Sequence, residues 1–434
     1  MNALFRNVGV WMQSQFELSR DNKNSIRAME GLRGLAVIMV FFAHYVCLIQ
    51  PWIGTGSLTW EIGEQLRSIG HAGVDLFFVL SGYLIYGAMI RRHRPFLDFM
   101  GKRIARIYPT FLVVFGLYLL LSYVFPERSK IPTNAEAAGV YLLQNLLFLP
   151  GMIDVEPMIV VSWSLSYEFF FYLTIPAVVA ALKLREWSPK NRLLLFGLIT
   201  ALGYFYYYFN HGHVRLLMFV SGIVLFEIQK QELIRAKRWS GLALLIFAVA
   251  IMVLVAKLDA KGWIRHVTMY VCFAALCLEC FTIRDATARL FSFTPLRWLG
   301  NISYSYYLIH GLTLKFAFLV LAKVHAPVGA EDHLFWLLLI PFFVATLVVS
   351  AVLFIAVEKP LSLGTPDAQT EESGVLVTAL ATIKHRLILS PLRYAYARVG
   401  IAGGSSSVRW MRQFLPAMVP FGMGLSAYVW MLLI

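Results

Sequence analysis

The sequence predicts an all-α membrane protein, a polytopic bundle of about 10 or 11 transmembrane helices with a cytoplasmic N-terminus. Composition is the first observation behind this class: 59% of the 434 residues are hydrophobic, only 14% are charged, and the mean hydropathy is +0.69. A water-soluble protein of this length could not bury so much apolar surface. The second observation is a series of apolar segments, and the third is the position of the basic residues between them.

The apolar segments follow one another along the chain and leave room for short loops only. We predict membrane spans at residues 34–50, 72–90, 110–125, 162–182, 193–209, 214–228, 240–256, 266–282, 298–321 and 334–357, with an additional span at 415–434. Several are shorter than the roughly 20 residues that cross a hydrocarbon core, so these need tilt or local thinning of the bilayer. This arrangement excludes a separate soluble catalytic domain within the sequence.

The net charge of +14 is explained by membrane orientation. With a cytoplasmic N-terminus, the alternation of spans places 29 of the 38 Lys and Arg residues on the cytoplasmic side. This bias is the positive-inside rule, and the inverted topology would reverse it. Because orientation accounts for most of the basic charge, nucleic-acid binding is not predicted.

The chain divides into four predicted regions. Residues 1–30 form a polar, cytoplasmic segment without a signal-peptide pattern, and residues 31–360 form the transmembrane domain. Residues 361–414 mix small polar residues with apolar and basic ones, which predicts a cytoplasmic linker with an amphipathic helix on the membrane surface. Residues 415–434 form the additional transmembrane helix.

The cysteines do not indicate a metal site. All four lie in or beside predicted spans, and Cys277 and Cys280 form a C-x-x-C pair. A structural zinc site requires a second pair of ligands, and none accompanies this one. The sequence therefore predicts no metal.

Ionisable side chains inside the spans are the first candidates for chemistry, because a bilayer tolerates them only beside a partner or a cavity. In the first span, His44 lies eleven residues after Arg33, which places it about 16 Å deeper along a helix. Asp75, Glu168 and His310 are predicted to share the depth of His44, in the outer half of the bundle. This set predicts an outer cavity lined by histidine and carboxylate.

The inner end carries the opposite charge. Residues 99–109 place Lys102 or Arg103 three or four positions before Arg106, on one side of a helix. Arginine pairs bind phosphates through planar bidentate hydrogen bonds, although the same spacing also fits ordinary positive-inside charge. A basic inner mouth and an outer histidine cavity suit an anionic cytoplasmic donor and a neutral outer acceptor.

Short motifs recur in a characteristic order across residues 25–360. They are residues 30–36 with His44, 73–83, 102–109, 163–165 with Glu168 and Tyr172, 215–219 with Gly222, 300–310, and 357–360. Their order and spacing resemble the acyltransferase 3 family of integral membrane acyltransferases. That family includes bacterial enzymes that O-acetylate lipopolysaccharide O-antigen, exopolysaccharide and other envelope glycans, so the resemblance implies a multi-pass protein of the bacterial cytoplasmic membrane.

The resemblance implies an acyl-coenzyme A donor, usually acetyl-coenzyme A, on the cytoplasmic side of the lipid bilayer and a glycan hydroxyl as the outer acceptor. It implies His44 as the leading catalytic residue. Coenzyme A would be bound by Arg33, Lys102, Arg103 and Arg106, although Lys102 stands where the family usually has arginine. Further candidate site residues are Ser81, Trp163, Arg215, Tyr304 and His310. Some members continue into an outer SGNH esterase-like domain, and the sequence leaves open whether this enzyme works without one or is truncated.

The expected mechanism has His44 as general base on the acceptor hydroxyl, oriented by the carboxylate of Glu168 or Asp75. A covalent acetyl-histidine relay is the alternative chemistry.

Two other functional classes remain open for this protein. One is a transporter or flippase for a glycan or lipid-linked sugar, since intramembrane His and Asp also couple protons; the other is a non-catalytic assembly or signalling protein of the envelope. Only the acyltransferase requires coenzyme A.

Overall fold

The computed structural model describes residues 2–18, 27–210, 212–234, 237, 239–257, 262–283 and 286–363. Within these residues the regular structure is entirely helical, without a β-strand. The predicted linker beyond residue 363 and the predicted span at 415–434 lie outside the described residues.

The α-helices follow one another with short connections. The first eight are α1 (Asn2–Phe16), α2 (Arg27–Ile49), α3 (Leu58–Gly70), α4 (Gly73–Arg91), α5 (Phe96–Val124), α6 (Ala135–Leu146), α7 (Ser162–Ala181) and α8 (Pro189–Asn210). The next are α9 (Leu216–Lys230), α10 (Ser240–Lys257), α11 (Gly262–Thr282), α12 (Ala286–Phe291), α13 (Thr294–Asn301), α14 (Ser303–Val324) and α15 (Asp332–Leu353). Helix α15 continues into a π-helical segment, Phe354–Leu363.

Helical stretches in the described residues are long and apolar enough to cross a membrane at eight places. They are Arg27–Trp52, Leu58–Arg91, Phe96–Val124, Ser162–Ala181, Pro189–Asn210, Gly262–Thr282, Ser303–Val324 and Asp332–Leu363. The predicted class, an all-α polytopic membrane protein, is confirmed. The bilayer core explains the class, because a backbone in hydrocarbon must satisfy its own hydrogen bonds.

Two predicted spans differ from the observed helices. Helix α9 has 15 residues, which gives about 22 Å of length, less than the roughly 30 Å of a hydrocarbon core. The predicted span 298–321 is broken at Ile302, where α13 ends and α14 begins. Hydropathy averaged over the whole segment hides this break, although the polar residues Asn301 and Ser303 flank it.

Helix α2 occupies the middle of the bundle and packs against α3, α4, α13 and α14. Glycines allow its backbone to touch its neighbours: a Cβ added at Gly300 would lie 1.7 Å from the carbonyl oxygen of Glu30, and one added at Gly31 would lie 1.8 Å from that of Phe291. Small residues at such crossings let membrane helices approach closely. The helix that carries Arg33 and His44 is therefore held on both sides.

Helix α1 docks on the same end of the bundle as Arg33. Phe16 is buried and stacks on Phe354 with ring centroids 6.0 Å apart. Its carbonyl oxygen accepts a hydrogen bond from Asn301 Nδ2 at 2.9 Å, and Lys359 Nζ donates to the carbonyl of Ser14 at 2.8 Å. The polar N-terminal segment thus contains a helix that covers the ends of α13 and of the π-helical segment.

Candidate active site

We call Arg33, Arg103 and Arg106 the arginine cluster, because Arg106 acts electrostatically on Arg33 and Arg103 lies one turn before Arg106 on α5. Arg33 Nη2 donates to Ser303 Oγ at 2.8 Å. The charges of Arg106 and Glu358 lie within electrostatic range of Arg33. The carboxylates of Glu358 and Glu168 act on the same cluster, so only part of its positive charge is available to the phosphates of a ligand.

Arg106 is the anchored member of the cluster. Its Nη1 lies 2.7 Å from Glu358 Oε1, and the Glu358 side chain is fully buried. Glu358 Oε2 also accepts from the backbone N–H of Ser305 at 2.9 Å and from its hydroxyl at 2.5 Å. The guanidinium of Arg106 lies 5.6 Å from the ring centre of Tyr304, whose hydroxyl donates to the Ile107 carbonyl at 2.8 Å. Tyr304, a predicted site residue, thus lies at the end of the bundle that carries the arginine cluster.

Arg103 is held less tightly. Its guanidinium carbon lies 5.4 Å from the ring centre of Phe99 and 5.7 Å from that of Tyr172. Its Nε is buried and has no hydrogen-bond partner in the described residues. A stacked guanidinium with an unused N–H fits an oxyanion such as phosphate.

Lys102 lies apart from the cluster. Its side chain is 58% exposed and forms an i, i+4 ion pair with Asp98 at 3.0 Å. Adjacent residues of a helix point about 100° apart, so Lys102 and Arg103 cannot face one site together. The structure brings together three of the four predicted coenzyme A residues and leaves Lys102 at the surface.

Glu168 is connected to the arginine cluster. Its Oε1 accepts hydrogen bonds from Ser81 Oγ at 3.1 Å and from the hydroxyl of Tyr172. Since the Tyr172 ring packs against Arg103, the predicted residues Ser81 and Glu168 lie on the cluster side of the bundle. The expected common depth of Glu168 and His44 is not observed.

The segment before α7 explains this difference. Met158, Ile159 and Val161 are buried, and the Val161 carbonyl accepts a hydrogen bond from the Tyr307 hydroxyl at 3.2 Å. The chain therefore enters the bundle before the helix starts, and Val161 already lines the cavity at His44. Glu168 follows seven residues later, about 10 Å further along a helix.

His44 and His310 form the second centre, which we call the histidine pair. Their ring centroids are 5.0 Å apart, with an angle of 65° between the ring planes. His310 is fully buried, and its Nδ1 lies 2.8 Å from the carbonyl oxygen of Tyr306. A carbonyl oxygen only accepts, so we assign the proton to Nδ1. His310 Nε2 is then a buried acceptor, and it has no partner in the described residues.

A cavity of about 180 Å³ opens beside the histidine pair. His44, Cys47 and Lys315 line it together with apolar residues from the segment before α7 and from α14. His310 is not part of the lining, so His44 lies between the cavity and its buried partner. An acceptor group in this cavity would meet the imidazole of His44.

Asp75, Trp163 and Arg215 form a third group. Asp75 Oδ1 lies 3.6 Å from Arg215 Nη1, and the Arg215 guanidinium lies 5.1 Å from the ring centre of Trp163. Arg215 also donates to the carbonyl of His71 at 3.4 Å. In the described residues, no contact joins either Asp75 or Glu168 to His44, whose ring contact is with His310.

Three residues of this site were not singled out by sequence reasoning. Tyr172 and Glu358 lie within matched motifs, but their partners Glu168 and Arg106 come from tertiary contacts. Lys315 could have been found from the sequence, because it is an ionisable residue inside an apolar span, as the predicted intramembrane residues are. The described residues also contain no group of three His, Cys, Asp or Glu side chains placed to hold a metal.

The comparisons with known proteins all indicate an acyltransferase. A family model described as an acyltransferase domain matches residues 26–355. The chain is 26% identical over 325 residues to the O-acetyltransferase OatA of Staphylococcus aureus, an alignment that covers 65% of this chain and 49% of that protein. It is 25% identical over 333 residues to the peptidoglycan O-acetyltransferase OatA of Listeria monocytogenes, covering 67% and 50%.

A third relative comes from Komagataeibacter xylinus. A protein named there as a membrane-bound transacylase, BcsY, is 27% identical over 335 residues, which cover 71% of this chain and 78% of that protein. The chain spans about half the length of the OatA proteins that it matches. No solved structure matches the chain.

Proposed function

This chain belongs to the acyltransferase 3 family, and from that premise we propose that it is a membrane O-acetyltransferase. It moves an acetyl group from cytoplasmic acetyl-coenzyme A to a hydroxyl of an extracytoplasmic envelope glycan, such as O-antigen or exopolysaccharide. One observation carries the proposal: helix α2 bears Arg33 of the arginine cluster and His44 of the histidine pair, about 16 Å apart along its axis. Relatives named as O-acetyltransferases support the same reaction.

The donor binds at the arginine cluster. Coenzyme A carries several phosphates, and the guanidiniums of Arg103 and Arg33 offer planar donors to them. Arg106 and its buried partner Glu358 hold that wall of the site in place. The pantetheine arm then extends along α2 and carries the thioester towards His44. In this arrangement the cluster end and the N-terminus are cytoplasmic, and the protein lies in the bacterial inner membrane.

At the other end, His44 takes the proton from the acceptor hydroxyl while the hydroxyl oxygen attacks the thioester carbonyl carbon. An ester C–O bond forms and the C–S bond breaks. The proton held by His44 passes to the departing thiolate, so the products are the acetylated glycan and free coenzyme A. A covalent acetyl-histidine step on His44 is the alternative route, with the same overall balance.

His310 acts through His44 as a positioning residue. Its Nδ1–H donates to the Tyr306 carbonyl, which leaves Nε2 as an acceptor in a ring that contacts His44. A hydrogen bond from His44 to this acceptor would leave the other nitrogen of His44 unprotonated towards the cavity. Such catalytic hydrogen bonds are often long without substrate and tighten when substrate binds.

Replacing His310 tests this role. The amide of Gln reaches the place of Nε2, whereas that of Asn reaches only the place of Nδ1. We expect His310→Asn to lower kcat by about tenfold, the effect of one hydrogen bond, with an unchanged KM for acetyl-coenzyme A, and His310→Gln to restore most of the loss. Steady-state kinetics on both variants measure this difference. Equal kcat values for the two variants would contradict a positioning role.

The reaction and its sidedness are tested together in membrane vesicles. Inverted inner-membrane vesicles should transfer labelled acetyl from added acetyl-coenzyme A to glycan, whereas intact spheroplasts should not, because the phosphates prevent coenzyme A from crossing a bilayer. Vesicles containing His44→Asn serve as the control. Transfer by spheroplasts alone would reverse the orientation. Glycan movement across the bilayer without coenzyme A binding would instead support a transporter.

A further inference from the structure

The cavity beside His44 contains an ammonium group without a counter-ion. Lys315 lines this cavity, five residues after His310 on α14, about 7.5 Å further along the helix. It lies within electrostatic range of His44. Among the described residues, no carboxylate lies within ion-pair distance of its Nζ.

The acidic group that acts electrostatically on Lys315 is already paired with another lysine. Glu156 is within electrostatic range of Lys315, but its Oε1 lies 2.8 Å from Lys130 Nζ. Lys130 also donates to the carbonyl of Pro157 at 3.0 Å, which holds this pair on the segment before α7. The positive charge of Lys315 is therefore left for a ligand.

The rest of the cavity wall makes that charge more effective. Leu48, Ile159, Val160, Val161 and Leu308 supply apolar surface around it. An ion pair is stronger next to apolar groups than in water, because the local dielectric constant is lower. Lys315 is exposed, so its ammonium is accessible to a ligand that enters this cavity.

We propose that Lys315 binds an anionic group of the acceptor, so that the acetylated glycan is acidic. This inference rests on the proposed function and names its substrate class. Because His44 and Lys315 line the same cavity of about 180 Å³, the anionic group belongs to the sugar that carries the reacting hydroxyl or to its neighbour. The anion is a carboxylate or a phosphate, and the neutral acceptor expected from sequence is replaced.

Acetyl transfer to matched acceptors tests the proposal. Oligogalacturonate, its carboxyl-reduced neutral form and a phosphorylated form of that neutral oligosaccharide are compared with the wild type and Lys315→Gln. We expect the wild type to favour an anionic acceptor by about tenfold in kcat/KM, the effect of a charge-assisted hydrogen bond, and Lys315→Gln to lose that preference. Whichever anionic form is preferred identifies the group.

Two further variants sharpen the test. Lys323→Gln removes the same charge from an exposed position of the same helix, outside the cavity lining, and should keep the wild-type preference. Lys315→Glu should instead favour an oligosaccharide of glucosamine. Equal kcat/KM for acidic and neutral acceptors in the wild type would overturn the inference while leaving the acetyltransferase intact.

A binding measurement separates this inference from the proposed function. Fluorescent oligogalacturonate and its phosphorylated counterpart are titrated into purified protein without acetyl-coenzyme A. Tighter binding of an anionic form by the wild type than by Lys315→Gln supports the anionic subsite even if no acetyl is transferred. Equal affinity of all forms for both proteins overturns it.

Discussion

His44→Asn is expected to give a folded protein that binds acetyl-coenzyme A normally and transfers acetyl about 10² to 10⁴ times more slowly than the wild type. The loss follows because an amide cannot take the proton of the acceptor hydroxyl. Donor binding should survive, since the arginine cluster lies about 16 Å away along α2. Single-turnover acetyl transfer and donor titration on the same preparation measure the two properties.

The structure distinguishes this expectation from a structural role of His44. In the described residues, no hydrogen bond is made to His44, and its specific contact is the ring of His310. Its replacement therefore breaks no hydrogen bond present in the described residues, and a large loss of stability is not expected. His333→Asn, at an exposed histidine near the start of α15, is the matched control. Near-normal acetylation by His44→Asn would refute the assignment and make His310 the next candidate.

Arg103→Gln is expected to weaken coenzyme A binding by about ten- to a hundred-fold, the effect of losing a charge-assisted hydrogen bond to phosphate. Arg103 makes ring contacts with Phe99 and Tyr172 but leaves its buried Nε unused. Replacing it also removes a charged group that interacts with Phe99 and Tyr172, so the fold is measured alongside the donor affinity. Equilibrium titration with coenzyme A measures the affinity, and the apparent Tm in detergent checks the fold.

Replacing Arg106 would test coenzyme A binding less directly than replacing Arg103. Removing its charge leaves Glu358 fully buried without its ion-pair partner, and breaking a buried pair in this way costs about 3–5 kcal/mol. We expect Arg106→Gln to unfold at lower temperature, so its weaker binding would not be specific to the donor. Lys102→Gln is the matched control for Arg103, because Lys102 is exposed and paired with Asp98. Unchanged affinity in Arg103→Gln, or an equal loss in Lys102→Gln, would argue against the phosphate site.

The local spacing of residues was sufficient for part of the candidate site. Arg33 and His44 lie on one helix, so their separation follows from the rise per residue and does not depend on the other helices. The grouping of Arg103 with Arg106 follows from the same regularity. The depth expected for Glu168 depends on a different helix, and spacing along one helix says nothing about where another helix begins.

The chain enters the bundle before α7 begins, and this arrangement is determined by tertiary packing. The buried residues Met158, Ile159 and Val161 bring the start of α7 to the level of the His44 cavity. Glu168 consequently reaches Tyr172 and Ser81, and His44 is left with His310. The apolar run of residues 158–161 is continuous with the predicted span, but hydropathy does not show that the chain enters the bundle there before it becomes helical.

The sequence by itself determined that the chain is a helical, multi-pass membrane protein and which segments form most of its spans. It could do so because hydrocarbon forces each apolar segment to satisfy its backbone within its own helix. Only the tertiary structure decided which polar side chains meet: His44 with His310, Arg106 with Glu358, and Lys315 with the cavity. Those contacts depend on glycine-mediated approaches such as Gly300 against Glu30, and helix crossings of this kind are set by shape complementarity between distant segments.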